Sequence, residues 1–172
     1  MIKFISSPNW EKIEDDEIVI FLAGPIQGSF NWHEEALKLF YEKCDANITI
    51  ASPKRKIGME KSEEGYKEQV RWETKHLHRA SKNGVILFWF ANEKEQIIDN
   101  DGKIRSYGKT SRTEYGVWKT MHDIYGCNVV LGLDTNWISE KYFRTCIEQD
   151  GSNIPICYTL SETIEKTINL IK

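Results

Sequence analysis

The chain has no apolar run able to cross a bilayer; its longest, Val85 to Ala91, is far too short. Its first residues, Met1-Ile2-Lys3-Phe4-Ile5, lack the extended apolar core of a secretory leader. It has no C-x-x-C pair. Cys44, Cys127, Cys146 and Cys157 are widely spaced, which in a chain of this size favours reduced thiols over a disulfide framework. The formal net charge is only −3, so nothing pulls the whole molecule toward nucleic acid or an anionic membrane. No repeat or low-complexity tract is visible. His76 and His78 stand two apart and so cannot face each other on a helix, and no other pairing has metal-ligand spacing. These absences lead us to expect a cytoplasmic protein with no bound metal, no cofactor and no membrane or nucleic-acid partner.

What is present is an ordinary globular composition, 40% hydrophobic and 28% charged over 172 residues, enough for one domain (1–172) with a substantial core. Strands are predicted at 17–23, 47–51, 84–90 and 127–133, with a short last one at 154–157. Helices are predicted at 31–44, 61–82 (firm from Gly65), 111–125, 137–148 and 161–171. Asn31 and Glu34 suit an N-terminal cap, and Gly126 ends the third helix. The strand at Gly84 shows no polar alternation, as expected when both faces are covered. Alternating strands and helices imply an α/β sandwich with a parallel sheet of about five strands and helices on both faces, in the flavodoxin-like (Rossmann-like) order. After the central strand, 91–109 is a long connection. Gln96-Ile97-Ile98 and Lys103-Ile104-Arg105 flank Asp99-Asn100-Asp101-Gly102, which reads as a hairpin, either a lid or a plain surface loop.

Several residues invite chemistry. Ser111-x-x-Glu114 is a capping box, in which the glutamate bonds the Ser111 amide, or else a reactive carboxylate at a helix N-terminus. Two features favour the second reading. The helix follows the central strand, where open α/β sheets bind ligands. Gly116, costly in a helix by about 1 kcal/mol, suggests close approach of a strand or a ligand. The first strand exits into Gly24-Pro25-Ile26-Gln27-Gly28-Ser29, a tight turn able to present backbone amides to a sugar or phosphate. It lacks the Gly-Lys-Ser/Thr of a phosphate-binding loop and the G-x-G-x-x-G of a dinucleotide fold. Tyr66, Gln69, Glu73 and His76 fall along one helical face beside the apolar line of Val70, Leu77 and Ala80. Trp89 and Phe90 end the central strand, as stacking surfaces for a base or as core. Lys54-Arg55-Lys56 follows the second strand at the same sheet edge, as a phosphate contact or a solvated loop.

Four motifs in order carry a resemblance. They are Ile20-Phe21-Leu22-Ala23-Gly24-Pro25-Ile26-Gln27-Gly28, Gln69-Val70-Arg71-Trp72-Glu73-x-x-His76-Leu77, Gly84-Val85-Ile86-Leu87-Phe88-Trp89-Phe90 and Thr110-Ser111-Arg112-Thr113-Glu114-Tyr115-Gly116. Together, over residues 17 to about 135, the chain resembles the nucleoside 2-deoxyribosyltransferase-like superfamily. The resemblance implies that Glu114 is the nucleophile at C1′ of a 2-deoxyribosyl group, forming a glycosyl-enzyme that a second base or water resolves. It also implies a proton donor for the departing base. The family's aspartate before the central strand is His76 here, and Glu73, one turn earlier, can substitute. A strand tyrosine is replaced by Ile20. An aspartate ahead of the nucleophile has no clean match, Asp99 and Asp101 being nearest. The phosphate-holding arginine of the nucleotide N-glycosidases is Gln27.

The expected catalytic residues are thus Glu114, Glu73 and His76. Substrate contacts are expected from Gly24, Pro25, Gln27, Gly28, Tyr66, Gln69, Trp89, Phe90 and Ser111. The expected partners are a nucleoside or nucleotide and, by resemblance, further copies of the chain in a homo-oligomer. The tail 153–172 is a candidate contact, although Leu160, Ile164, Ile168 and Ile171 also suit a core helix. A nicotinamide-dinucleotide glycohydrolase and a non-catalytic nucleotide sensor remain as alternatives. The helix N-terminus is expected to keep Glu114 ionised at neutral pH.

Overall fold

The computed structural model describes residues 1–55, 62–98, 102–135 and 137–171. Runs of β-branched and aromatic residues form a parallel sheet of six strands: β1 (Ile2–Ser6), β2 (Ile18–Ala23), β3 (Ile48–Ser52), β4 (Gly84–Phe90), β5 (Val129–Leu133) and β6 (Ile156–Cys157). Their spatial order is β1-β3-β2-β4-β5-β6. Counted from Ile18, this is the flavodoxin-like order, with the sequence-based reading corrected by one extra strand, β1, on the outer edge beside β3. The helices are α1 (Trp32–Lys43), α2 (Glu63–Lys82), α3 (Lys109–Tyr125), α4 (Glu140–Asp150) and α5 (Leu160–Asn169). None of them is long and apolar enough to cross a membrane.

Strand alternation sends successive side chains to opposite faces, and two separate cores result. Val19, Phe21, Ile86, Phe88, Phe90 and Leu131 pack under α2, α3 and α4. Ile20, Leu22, Ile50, Leu87 and Trp89 pack under α1 and α5. Leu160, Ile164 and Ile168 are buried there, so the stripe of the last helix serves the core.

The topological switch falls between β2 and β4, whose connections leave on opposite faces of the sheet. At the carboxyl edge of that switch stand the turn after β2, the first turns of α2 and α3, and the described residues 91–98 and 102–108. The segment between β1 and β2 straps α2 in place. Arg79 Nη2 donates to the carbonyls of Glu14, Asp15 and Glu17 at 2.7, 2.8 and 2.6 Å, and Trp72 Nε1 donates to Asn9 O at 2.6 Å.

Two local expectations change. α3 begins at Lys109 behind Gly108, a left-handed N-cap at φ 62°, so Ser111 is inside the helix and the capping box does not form. Asn31 makes no side-chain cap bond to the backbone of α1; its Nδ2 donates instead to Glu34 Oε2 at 2.7 Å. Among the described residues the expected hairpin shows an antiparallel bridge, Ile98 with Ile104, beside the Arg105 amide bond to Ile97 O at 2.8 Å. Its expected turn residues Asp99, Asn100 and Asp101 lie outside the described residues, as do Lys56 and Lys61.

Candidate active site

α2 buries Trp72, His76, Leu77 and Ala80 against the sheet. Continued toward the helix N-terminus, that face carries Glu73, Gln69 and Tyr66. These residues stand at the carboxyl edge of the sheet, where the helix outruns its packing partners. The burial falls accordingly, from His76 at 1% exposed, through half-buried Glu73 and Gln69, to Tyr66 at 68%. The polar line read from the sequence is therefore the top of the helix's core face.

α3 stands beside α2 on the same side of the sheet, and His78 meets Trp118 edge-on at 5.3 Å. α3 buries Ser111, Tyr115 and Trp118. Glu114 lies on the flank of that buried arc and is itself half-buried. Burial, and then the charge of Glu73, push the Glu114 carboxyl up to about 7. This reverses the expectation that the helix terminus keeps it ionised. Glu114 is in the second turn from Gly108, and the field of a helix end fades within its first turn. Burial also raises Glu73, but Gln69 and then Arg55 oppose the shift. The site therefore holds two neighbouring carboxyls, of which Glu73 alone among the described residues has cationic and hydrogen-bonding support. The charge of Glu73 disfavours ionisation of Glu114.

A polar network anchors Glu73. Gln69 Nε2 donates to Glu73 Oε1 at 2.6 Å and to Pro53 O at 2.7 Å. Gln69 Oε1 accepts from Arg55 Nε at 2.6 Å and from Ser7 Oγ at 2.5 Å. The Arg55 guanidinium also donates to Gly65 O. The ends of β1 and β3 are thus tied to the top of α2. Arg55 lay in a basic run whose default reading was a solvated loop. Ser7 was missed altogether, because its place follows from β1, which was not read as a strand. A cleft of about 570 Å³ opens beside Arg55, Gly65 and Trp10, but neither carboxylate lines it.

The other expected residues divide into two groups. His76 is stacked on Trp72 at 4.0 Å, and its Nδ1 lies 2.7 Å from Trp72 O, which makes Nδ1 the protonated nitrogen. Burial lowers its proton affinity. Its Nε2 is buried with no partner among the described residues. Phe90 is sealed among Tyr115, Trp137 and Phe143, with ring centroids at 6.0, 5.0 and 5.0 Å. Trp89 is 3% exposed on the opposite face, under α1 and α5. Ser111 is 7% exposed. Gly116 faces open space, with nothing within 4 Å of a built Cβ, so no strand of this chain explains it.

The turn after β2 does come to the site, but covered. Gly28 O accepts from the amides of Lys94 and Glu95 at 2.7 and 3.2 Å. A Cβ on Gly28 would lie 2.8 Å from Glu95 O and 3.3 Å from the Tyr107 ring, so only glycine fits. Tyr107 Oη donates to Ala91 O at 2.8 Å. The Arg105 guanidinium bonds the Gln27 side chain. Pro25 O accepts from Trp32 Nε1 at 2.7 Å, and the Pro25 ring abuts Gly108 at the start of α3. The turn, the described residues 91–95 and 105–108 and the helix bearing Glu114 thus pack together.

This geometry coincides with a family match. The model of the nucleoside 2-deoxyribosyltransferase-like family matches residues 17–125, more than half of the chain. The chain belongs to that family. The matched span runs from β2 through the end of α3 and contains both carboxylates and Gln69, while Ser7 and β1 precede it. Membership places this nucleoside 2-deoxyribosyltransferase-like chain, at a coarse level, among enzymes of the glycosyl-transfer and N-glycosidase type that take nucleoside substrates. No curated protein matches the chain.

Proposed function

We propose that the chain cleaves the N-glycosidic bond of a deoxynucleoside or deoxynucleotide and passes the 2-deoxyribosyl group to another base or to water. The observation that carries this reading is that α2 and α3, packed side by side in a chain of this family, bring half-buried Glu73 and Glu114 together toward the carboxyl edge of the switch. In the proposed first step a Glu114 oxygen attacks C1′ and the C1′–N bond breaks, its electron pair leaving with the base. Glu73 supplies the proton that the base takes. In the second step an incoming base nitrogen or a water oxygen attacks C1′. The C1′–O bond to Glu114 breaks, and Glu73 receives the released proton. Two displacements retain the configuration at C1′. The cycle needs Glu114 anionic and Glu73 protonated, whereas burial of Glu114 and the Gln69 and Arg55 support of Glu73 favour the proton on Glu114 in the free protein, so substrate binding must move that proton to Glu73. Buried His76 is left to support Trp72. Exposed Tyr66 and Gln27 suit substrate contacts, while Gly24, Pro25 and Gly28 shape the turn from beneath their cover. A homo-oligomer is also proposed, and exposed Val117, Ile124 and Tyr125 on the outer side of α3 offer it an apolar surface.

The test is chromatographic. The protein is incubated with deoxynucleosides, their 5′-monophosphates and the ribo forms, with and without a second free base, beside Glu114→Ala. Free base, or a new nucleoside, formed by the wild type alone is the expected result, with the variant slower by on the order of 10³-fold or more. Equal turnover by the variant would refute the assignment of Glu114. Release of nicotinamide from a dinucleotide in its place would redirect the substrate.

A further inference from the structure

Gln69 has a side-chain amide with all of its hydrogen-bonding directions in use, and their chemistry fixes which way it points. Arg55 Nε can only donate, so it must face Gln69 Oε1, at 2.6 Å. Pro53 O can only accept, so it must face Nε2, at 2.7 Å. Turning the amide over would set donor against donor at Arg55 and acceptor against acceptor at Pro53. The second hydrogen of Nε2 is then committed to Glu73 Oε1, at 2.6 Å. Ser7 Oγ completes the set from the end of β1.

We infer that Gln69 is a positioning residue that fixes Glu73 Oε1 as a hydrogen-bond acceptor and leaves Oε2 as the oxygen that carries and transfers the proton. An oxygen already accepting from an amide backed by a guanidinium is the weaker base of the two. Among the described residues the charged group acting on Glu73 is Arg55, from the loop after β3, and Glu73 in turn acts on Glu114, from α3. The Gln69 hydrogen bond and then the Arg55 charge favour the Glu73 anion, and that charge raises Glu114. Gln69 therefore sets the order in which the two carboxyls ionise. The inference deepens the proposed reaction, because the oxygen it selects is the one that would protonate the departing base.

The experiment follows both carboxyls directly, by ¹³C NMR titration of protein labelled at glutamate Cδ, with Glu73→Gln and Glu114→Gln to assign the two resonances. Gln69→Met keeps the length of the side chain and removes the amide. Its expected effect is a rise of about one pH unit in the Glu73 midpoint, with a fall in that of Glu114, which then meets less charge. If Gln69→Met does not fold, Gln69→Asn, a methylene too short to reach both Pro53 and Glu73, is expected to move the midpoints the same way. Unmoved midpoints in a folded variant overturn the inference. With an active substrate in hand, the pH profile of kcat/KM should move with the Glu73 midpoint at unchanged KM. A raised KM with unmoved midpoints would make Gln69 a substrate contact instead and overturn the inference. Should the wild type turn over no nucleoside, the proposed reaction fails while the titration still decides the role of Gln69.

Discussion

The two faces of the sheet solve the same burial problem with different chemistry. Under α1 and α5 the buried polar groups of the helices are mostly consumed locally. The Thr163 and Thr167 hydroxyls donate to the carbonyls four residues back, both at 2.8 Å, and Trp32 Nε1 donates to Pro25 O. Under α2 and α3 half-buried Glu73, Gln69 and Glu114 stand beside buried His76, with carboxyls displaced from their ordinary ionisation. A face that only packs can satisfy each hydroxyl within its own helix. A face that holds half-buried carboxyls needs support from several elements, and here Ser7, Pro53 and Arg55 come from the ends of two strands.

The largest effect expected from testing this contrast lies on the packing face. Ile164 is fully buried between α5 and the sheet. Ile164→Ala should cost about 3 kcal/mol in urea unfolding and leave the Glu114 titration where it was. A shift of the carboxyl midpoints in that variant would show that the two faces are coupled.

The next effect belongs to the reactive face and reverses sign. In the folded chain the Glu114 carboxyl is raised to about 7 from an ordinary 4.5, so the folded state binds its proton the more tightly. Stability is thus lost as pH rises from about 4.5 to 7, and the full penalty stands above 7. Glu114→Gln should therefore stabilise the protein by ~2 kcal/mol at pH 8 and by almost nothing at pH 4. Equal stability of variant and wild type at pH 8 would refute the strained-carboxyl description.

The smallest effect is at Gly116, which is exposed with nothing near it. Gly116→Ala should raise stability by up to about 1 kcal/mol through helix propensity alone, read as a higher melting temperature. A loss of activity in that more stable variant would identify the glycine as a close-approach site for something outside this chain.

Much of this was legible along the chain. The uninterrupted apolar run 84–90 matches β4 residue for residue, because a strand covered on both faces needs no alternation. α1 and α2 were found from their amphipathic spacing, and Glu114 and Glu73 were singled out by their motifs. β1 was missed because an edge strand with Phe4 exposed carries a mixed pattern. The start of α3 was misplaced because Ser111 looks like a cap, whereas the cap is Gly108, pinned between Pro25 and Trp137. Phe90 looked available at the strand end, but α3 and α4 seal it. Which groups close over a side chain is a long-range fact with no local signature.

The sequence by itself determined the order of the elements from β2 onward and singled out Glu114 and Glu73 as candidates, because periodicity and short motifs are local properties. Only the tertiary structure decided that Glu114 is raised toward neutrality while Glu73 keeps its support, and that Gln69 faces one way. Those facts depend on burial and on donors from β1, β3 and α2 meeting at one point, and a proton's energy is set by the groups around it in space.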